Sequence, residues 1–276
     1  MSRFFHVIFM NLFRAPYMIP KMRYYGAHPE KYSEEQRYAL ATHAIDIMKN
    51  SGHITTVSIG AENLPKDSGY VMYPNHQGKY DVLGIMTTHE APCSFVIDDR
   101  RSHMTLVREF TDLLQGKRIK KDDLKQTFQL FKDIVSEIVC GRKYIIFPEG
   151  GYEEGKQNAV CDFLPGSFKL ALHSKAPIVP VALLDSYKVF DSDQCDRNVV
   201  TYVDYLDPIY YEDYRGMKTR EIAALVQEKI QQAIAALQEQ VEAGFPAIGE
   251  LQEQIEAGFP VIGELPEQIE EGIPVV

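Results

Sequence analysis

The chain has 276 residues, 45% hydrophobic and 25% charged, a composition ordinary for a globular protein with a substantial core. No stretch reaches the roughly 18 uncharged apolar residues of a membrane-crossing helix, which excludes a polytopic membrane protein. The net charge of −10 is concentrated, because Glu239 to Val276 holds nine Glu and no Lys or Arg, leaving −1 for residues 1–238.

The first 29 residues carry Arg3, Arg14, Lys21 and Arg23 and no acid. A basic, aromatic start on a near-neutral body suits an anionic membrane surface. No broad basic stripe is present to neutralise phosphates, so no nucleic-acid partner is expected. Residues 2–14 have the pattern of an amphipathic helix, with Arg3, Asn11 and Arg14 on one arc and Phe4, Phe5, Ile8, Phe9 and Leu12 on the other. Too short to span, such a helix lies in the membrane interface or packs as a core helix. A secretory signal is disfavoured because His6 and Asn11 interrupt the apolar run and no small-x-small cleavage site follows.

Pro16 and Pro20 punctuate the next stretch, and a second helix is expected over 33–50, opened by Ser33 with Glu34 and Glu35 in its first turn. Strands are expected at 54–59, 70–73, 93–97, 143–147, 178–184 and 199–205, and helices at 82–88, 104–115, 123–140, 166–174 and 219–238. This alternation predicts an α/β fold, a central mostly parallel or mixed sheet flanked by helices, with amphipathic helices at the N-terminus. The tail repeats a 14-residue unit: EQVEAGFPAIGELQ at 239–252 returns at 253–266 and, truncated, at 267–276. Each unit holds Gly and Pro, and fewer than three full units make no self-supporting solenoid. Residues 1–50 are therefore read as a helical membrane-interface segment, 51–238 as the chemical domain and 239–276 as an acidic appendage. Cys93, Cys140, Cys161 and Cys195 include no C-x-x-C pair, so they are read as reduced thiols of a cytoplasmic protein, with no metal and no cofactor.

Two segments carry candidate chemistry. YPNHQGKYD, residues 73–81, follows one predicted strand and precedes a helix, and holds His76 and Asp81 in an H-x-x-x-x-D spacing. A histidine takes a proton near neutral pH, and a carboxylate on its other nitrogen orients it. On one α-helix the two side chains would point about 140° apart, so they meet only if Pro74 and Gly78 form a turn entering the helix. The plain alternative is a capping Asp beside an unrelated His. IIFPEGGYEEG, residues 145–155, ends a strand in Glu149 and Gly150, where α/β sheets place ligands and where backbone N–H groups can stabilise an oxyanion.

Asn75-His76 with Asp81, followed by Phe147-Pro148-Glu149-Gly150 and then Ala176-Pro177-Ile178-Val179-Pro180-Val181, resembles the 1-acylglycerol-3-phosphate acyltransferase family over residues 54–210. The resemblance implies transfer of a fatty acyl group from acyl-CoA or acyl-acyl-carrier protein to the sn-2 hydroxyl of 1-acylglycerol-3-phosphate, giving phosphatidate for phospholipid biosynthesis. It implies His76 as base and Asp81 as its partner. Asn75, Glu149 and Gly150 are the implied substrate contacts, with a phosphate site at Arg118, Lys117 and Lys120. The expected partners are the lysophospholipid acceptor, the acyl thioester donor and a membrane surface, with the enzyme peripheral or monotopic on the cytoplasmic face. Two departures stand out. The basic block Gly116-Lys117-Arg118-Ile119-Lys120-Lys121 is shifted, and Gly151-Tyr152-Glu153 replaces the family's Thr-Arg-Ser. Three rival readings are an acyltransferase for another lysolipid, aminolipid or glycolipid, a hydrolase, and an inactive membrane-binding module. No G-x-S-x-G elbow supports the hydrolase.

Overall fold

The computed structural model describes residues 3–120, 122–151, 155–191 and 198–244. In chain order the elements are α1 (Arg3–Met10), α2 (Ala15–Ala27), α3 (Glu34–Gly52), β1 (Ile54–Ile59), β2 (Val71–Pro74), α4 (Asp81–Thr88), β3 (Cys93–Asp98) and α5 (Val107–Leu113). Then follow β4 (Lys117–Ile119), α6 (Leu124–Val139), β5 (Lys143–Ile145), α7 (Lys169–Ser174), β6 (Ile178–Leu184), α8 (Lys188–Asp191), β7 (Val199–Tyr205), α9 (Tyr211–Tyr214) and α10 (Thr219–Glu242). The chain divides into a compact unit of Met1–Ile234 and a second of Ala235–Val276. The second unit is described only as the end of α10 and its closing turn at Gly244; the repeat beyond lies outside the described residues.

The α/β expectation holds. Seven strands form one sheet in the order β1-β7-β6-β2-β5-β3-β4. β6, β2, β5, β3 and β4 run parallel, and β7 crosses antiparallel to β6 with β1 parallel beside it. β6 is buried at all seven positions, as its unbroken IVPVALL run requires of a central strand covered on both faces. Successive β2 side chains face opposite layers. Met72 enters the core shared with α2–α5, while Tyr73 stacks on Phe168 just before α7, with ring centroids 4.3 Å apart. The C-terminal ends of the five parallel strands thus share one edge.

Four elements, α2, β4 and the short helices α8 and α9, are not in the sequence expectation. α2 forms across Pro16 and Pro20. Pro16 sits in the first turn, where its missing N–H has no helical partner to lose. Pro20 forfeits one bond, which burial of Met22 against the core offsets. Gly26 of α2 lies so close to α5 that a Cβ would stand 3.0 Å from the backbone carbon of Asp112. β4 was missed because its three residues, Lys-Arg-Ile, are short and charged.

The N-terminal helix turns part of each predicted arc inward. Arg3 is 1% exposed and donates to the carbonyls of Lys188 and Val189 at 3.2 and 3.4 Å. Asn11 reaches the Ser51 hydroxyl at 2.6 Å, while Arg14 stays exposed. Phe4 packs against Phe190, and most of the apolar arc faces outward, with Phe9 67% and Phe13 95% exposed beside Phe5, Met10 and Leu12. Residues 1–50 are also not a separate layer, since Tyr38, Leu40, Ala41, Ala44 and Ile45 of α3 join the sheet's core. Among the described residues no helix is long and apolar enough to cross a membrane.

His89, just after α4, is buried with its Nδ1 2.6 Å from the Ala91 carbonyl and its Nε2 2.6 Å from the Tyr70 hydroxyl. A carbonyl only accepts, so Nδ1 carries the hydrogen and Nε2 accepts from Tyr70. Burial pushes this imidazole down from 6.5 to about 4, with the Ala91 carbonyl opposing and Lys143 assisting. The neutral form is favoured in the folded state, so its stability contribution is complete above pH 6.5 and is lost as pH falls toward 4. About 3 kcal/mol of folding stability should disappear across that window. Urea unfolding at several pH values checks this, and His89→Gln should lose less than wild type by that amount.

Candidate active site

β2 carries the chain to the C-terminal edge, where residues 75–80 turn and enter α4 at Asp81. The Asp81 carboxylate is fully buried. Its Oδ2 accepts from the backbone N–H groups of Gln77 at 2.6 Å and Gly78 at 2.9 Å, and lies 2.6 Å from His76 Nδ1. Its Oδ1 accepts from the Ser186 hydroxyl at 2.6 Å. Asp81 therefore binds the histidine and, from the first position of α4, holds the turn before it; Tyr80 and not Asp81 is the N-cap of α4. Because a carboxylate only accepts, Nδ1 carries the hydrogen, and the neutral ring keeps its basic lone pair on Nε2. The His76 side chain is 15% exposed and stacks on Phe147 with centroids 4.1 Å apart.

Phe147 and Glu149 arrive at the same edge from β5. Glu149 is fully buried; one oxygen accepts the His76 backbone N–H at 3.1 Å and the other is ion-paired with Lys156. Gly150 turns the chain at φ +74°, and a Cβ there would meet Leu164 Cδ1 at 2.7 Å. Its N–H donates to the Phe147 carbonyl at 3.2 Å. That bond closes the turn. A base, its orienting acid and a partly open imidazole at a sheet edge can deprotonate a hydroxyl held against Nε2.

Residues 55–184 match the Acyltransferase family model. A probable 1-acyl-sn-glycerol-3-phosphate acyltransferase of Mycoplasma pneumoniae is 23% identical over 224 residues, covering 76% of this chain and 83% of that protein. The 1-acyl-sn-glycerol-3-phosphate acyltransferase of Escherichia coli is 24% identical over 168 residues, 60% of this chain and 67% of that one. Residues 55–184 are thus similar to an acyltransferase domain. It is an enzyme of acyl transfer. Its fold also resembles the crystal structure of the 1-acyl-sn-glycerophosphate acyltransferase of Thermotoga maritima, with a TM-score of 0.66 and 16% identity over 85% of this chain and 97% of that one.

In this acyltransferase several residues expected to touch substrate have partners in the framework. Asn75 is fully buried and spends both ends of its amide on Leu183, donating to its carbonyl at 3.1 Å and accepting its N–H at 2.7 Å. Glu149 is likewise occupied by His76 and Lys156. The basic block does not join His76. β4 stands three strands from β2, about 14 Å at ordinary strand spacing. Lys117 is ion-paired with Glu137, while Arg118 bonds Asp112 at 2.5 Å and Ser102 at 2.9 Å. Lys120 is exposed at the end of β4 and makes no ion pair among the described residues. Tyr152 and Glu153 lie outside the described residues.

Four residues at the site escaped the sequence reading: Gln77, Lys156, Asn158 and Ser186. Gln77 stood inside the motif, but its type suggested nothing. Lys156 was legible as a cation a short way past Glu149. A cavity of about 520 Å³ lies at the opposite edge of the sheet, where Glu34, Lys117, Glu137 and Arg142 pair with one another and Arg37 donates to backbone carbonyls. Among the described residues no cluster suits a metal ion.

Arg118 thus braces α5 against β4. Removing either partner of its half-exposed pair with Asp112 should cost about 1 kcal/mol of stability. Urea unfolding of Arg118→Ala, Asp112→Ala and the double variant measures the coupling, and the double variant should lose little more than either single one.

Proposed function

We propose that the enzyme moves a fatty acyl group from acyl-CoA or acyl-acyl-carrier protein to the sn-2 hydroxyl of 1-acylglycerol-3-phosphate, at a membrane surface. The observation that carries this reading is the 2.6 Å contact between His76 Nδ1 and the buried Asp81 carboxylate, within a family of acyltransferases. His76 Nε2 takes the acceptor's hydroxyl proton as that oxygen attacks the thioester carbonyl. Asp81 stabilises the resulting imidazolium. The tetrahedral intermediate collapses, the carbon–sulfur bond breaks, and the leaving thiolate takes the proton back from His76. The acceptor supplies the nucleophile, so no acyl-enzyme is needed.

The phosphate-bearing acceptor rests on the names of the relatives. A lysolipid with another headgroup is the second reading, favoured by the engagement of Arg118 with Asp112. One assay tests both. Wild type and His76→Ala are given labelled acyl donors with lysophosphatidate, lysophosphatidylcholine and monoacylglycerol. Wild type should prefer lysophosphatidate, and His76→Ala should lose roughly 10²–10⁴-fold while keeping its unfolding midpoint. A folded His76→Ala enzyme with near wild-type turnover would sink the base assignment. Free fatty acid as the main product would mean hydrolysis.

Membrane contact is supported by the outward apolar arc of α1. An exposed run of Phe5, Phe9 and Phe13 beside Tyr17 exceeds what a solvated helix ordinarily shows and suits insertion to headgroup depth. Arg14, Lys21 and Arg23 add positive charge beside it. Because α2 enters the core, substitution is a cleaner test than deletion. Phe5→Ser, Phe9→Ser and Phe13→Ser combined should leave folding intact and greatly reduce co-sedimentation with anionic liposomes.

A further inference from the structure

We propose that Ser186 is a positioning residue for acyl transfer, holding the Asp81 carboxylate in the orientation that binds His76. The inference rests on the base role of His76 and deepens it. An ionised carboxylate has about four acceptor sites and no donor. Three donors converge on Asp81 Oδ2, and the other oxygen, Oδ1, accepts the Ser186 hydroxyl at 2.6 Å. Both residues are buried, Asp81 at 0% and Ser186 at 4% exposure, so a lost hydroxyl cannot simply be replaced by bulk water. Without it Oδ1 stands desolvated beside a charge, and the carboxylate is free to rotate away from the ring.

The surrounding turn is built to aim this hydroxyl. Asp185 adopts φ +63°, a left-handed conformation uncommon for a residue with a side chain, and so reverses the chain at the end of β6. Asn158 pins that conformation from both sides, accepting the Asp185 N–H at 2.9 Å and donating to its carboxylate at 3.0 Å. Lys188 holds the other Asp185 oxygen at 2.7 Å. The Ser186 N–H then donates to Gln77 Oε1 at 2.8 Å, and the Gln77 amide donates to Asn158 and to the Leu183 carbonyl at 2.9 and 2.7 Å. Gln77 neighbours His76 in the chain, so the turn carrying the base and the turn carrying Ser186 fix one another.

The direction of the bond also sets what Ser186 does not do. Its single hydrogen goes to Asp81, which can only accept. The hydroxyl therefore faces the acid and not His76, the reverse of a serine nucleophile in a triad.

The test compares Ser186→Ala, Ser186→Thr and Ser186→Cys in the full-length enzyme, with steady-state kinetics on both substrates. Loss of a hydrogen bond to a charged group predicts a fall in kcat of about tenfold to a hundredfold, with KM for donor and acceptor little changed. Threonine, which keeps the hydroxyl, should restore most of the loss. Cysteine has similar volume and a weak donor, and should behave like alanine; it serves as the volume-matched variant if alanine does not fold. The same substitutions are then made in an Asp81→Asn background. With no charge left to orient, Ser186→Ala should leave kcat nearly unchanged there. An equal loss in both backgrounds, an unaltered kcat in the single variant, a loss carried by KM, or failure of threonine to rescue would each overturn the assignment. His76→Ala run alongside separates the two levels: activity surviving that change defeats the base reading itself, whereas its loss with an indifferent Ser186→Ala defeats only this inference.

Discussion

The site depends on giving one buried carboxylate a full set of donors. A buried carboxylate without hydrogen bonds would cost many kcal/mol. Asp81 meets four donors drawn from its own turn, the neighbouring His76 and the end of β6. This constraint reaches into the sheet. β2 and β6 must be adjacent and in register, with Pro74 opposite Val181, for Asn75 to clamp Leu183 and for Ser186 to arrive over Asp81. A one-residue slip would turn Met72 and Tyr73 to the wrong layers and take Asn75 off its partner. The apolar burial of β6 is thus part of what aims the imidazole.

The same logic governs the second motif. Phe147 supports the ring from one side, and Glu149 holds the backbone N–H of His76 from another. Glu149 is itself a buried charge, neutralised by Lys156, and two residues further on Asn158 braces the Ser186 turn. One short segment past Gly150 therefore stabilises both ends of the dyad. Buried pairs of this kind contribute little net stability, because desolvation offsets attraction. Their plausible value is geometric, since a rigid base and acid lose no orientation when the substrate arrives.

Much of the architecture was legible, and the reasons for the rest are physical. β1, β6 and β7 fall on the segments rich in β-branched and apolar residues, because burial on a sheet selects those residues. α2 was hidden by its prolines, and β4 by charges that a flanking helix neutralises. Spacing alone does not separate the pairing of His76 with Asp81 from a capping Asp; the resemblance, which also needs Phe147 to Gly150, implies it. The orientation of Asn75 and Glu149 was not legible, because a motif names residue types and is silent on which way they face. Both point inward to backbone groups. Ser186 lay beyond reach for another reason: it stands 105 residues from Asp81 in the chain, and only the β2–β6 pairing makes them neighbours.

The N-terminal helix fell between these cases. Periodicity separates a polar from an apolar arc, but not which arc meets the body. Here the body offers carbonyls at the start of α8, and Arg3 satisfies them while Asn11 reaches Ser51, so these two residues of the polar arc turn inward. The attachment point matters. Lys188, whose carbonyl takes Arg3, also ion-pairs with Asp185, the left-handed residue that aims Ser186 at Asp81. From the apolar arc of α1 to the imidazole of His76 the contacts run through Arg3, Lys188, Asp185, Ser186 and Asp81 without a gap. A helix seated at a bilayer through its phenylalanines would therefore hold the dyad at a set position relative to that surface, where a lysolipid's hydroxyl must be presented.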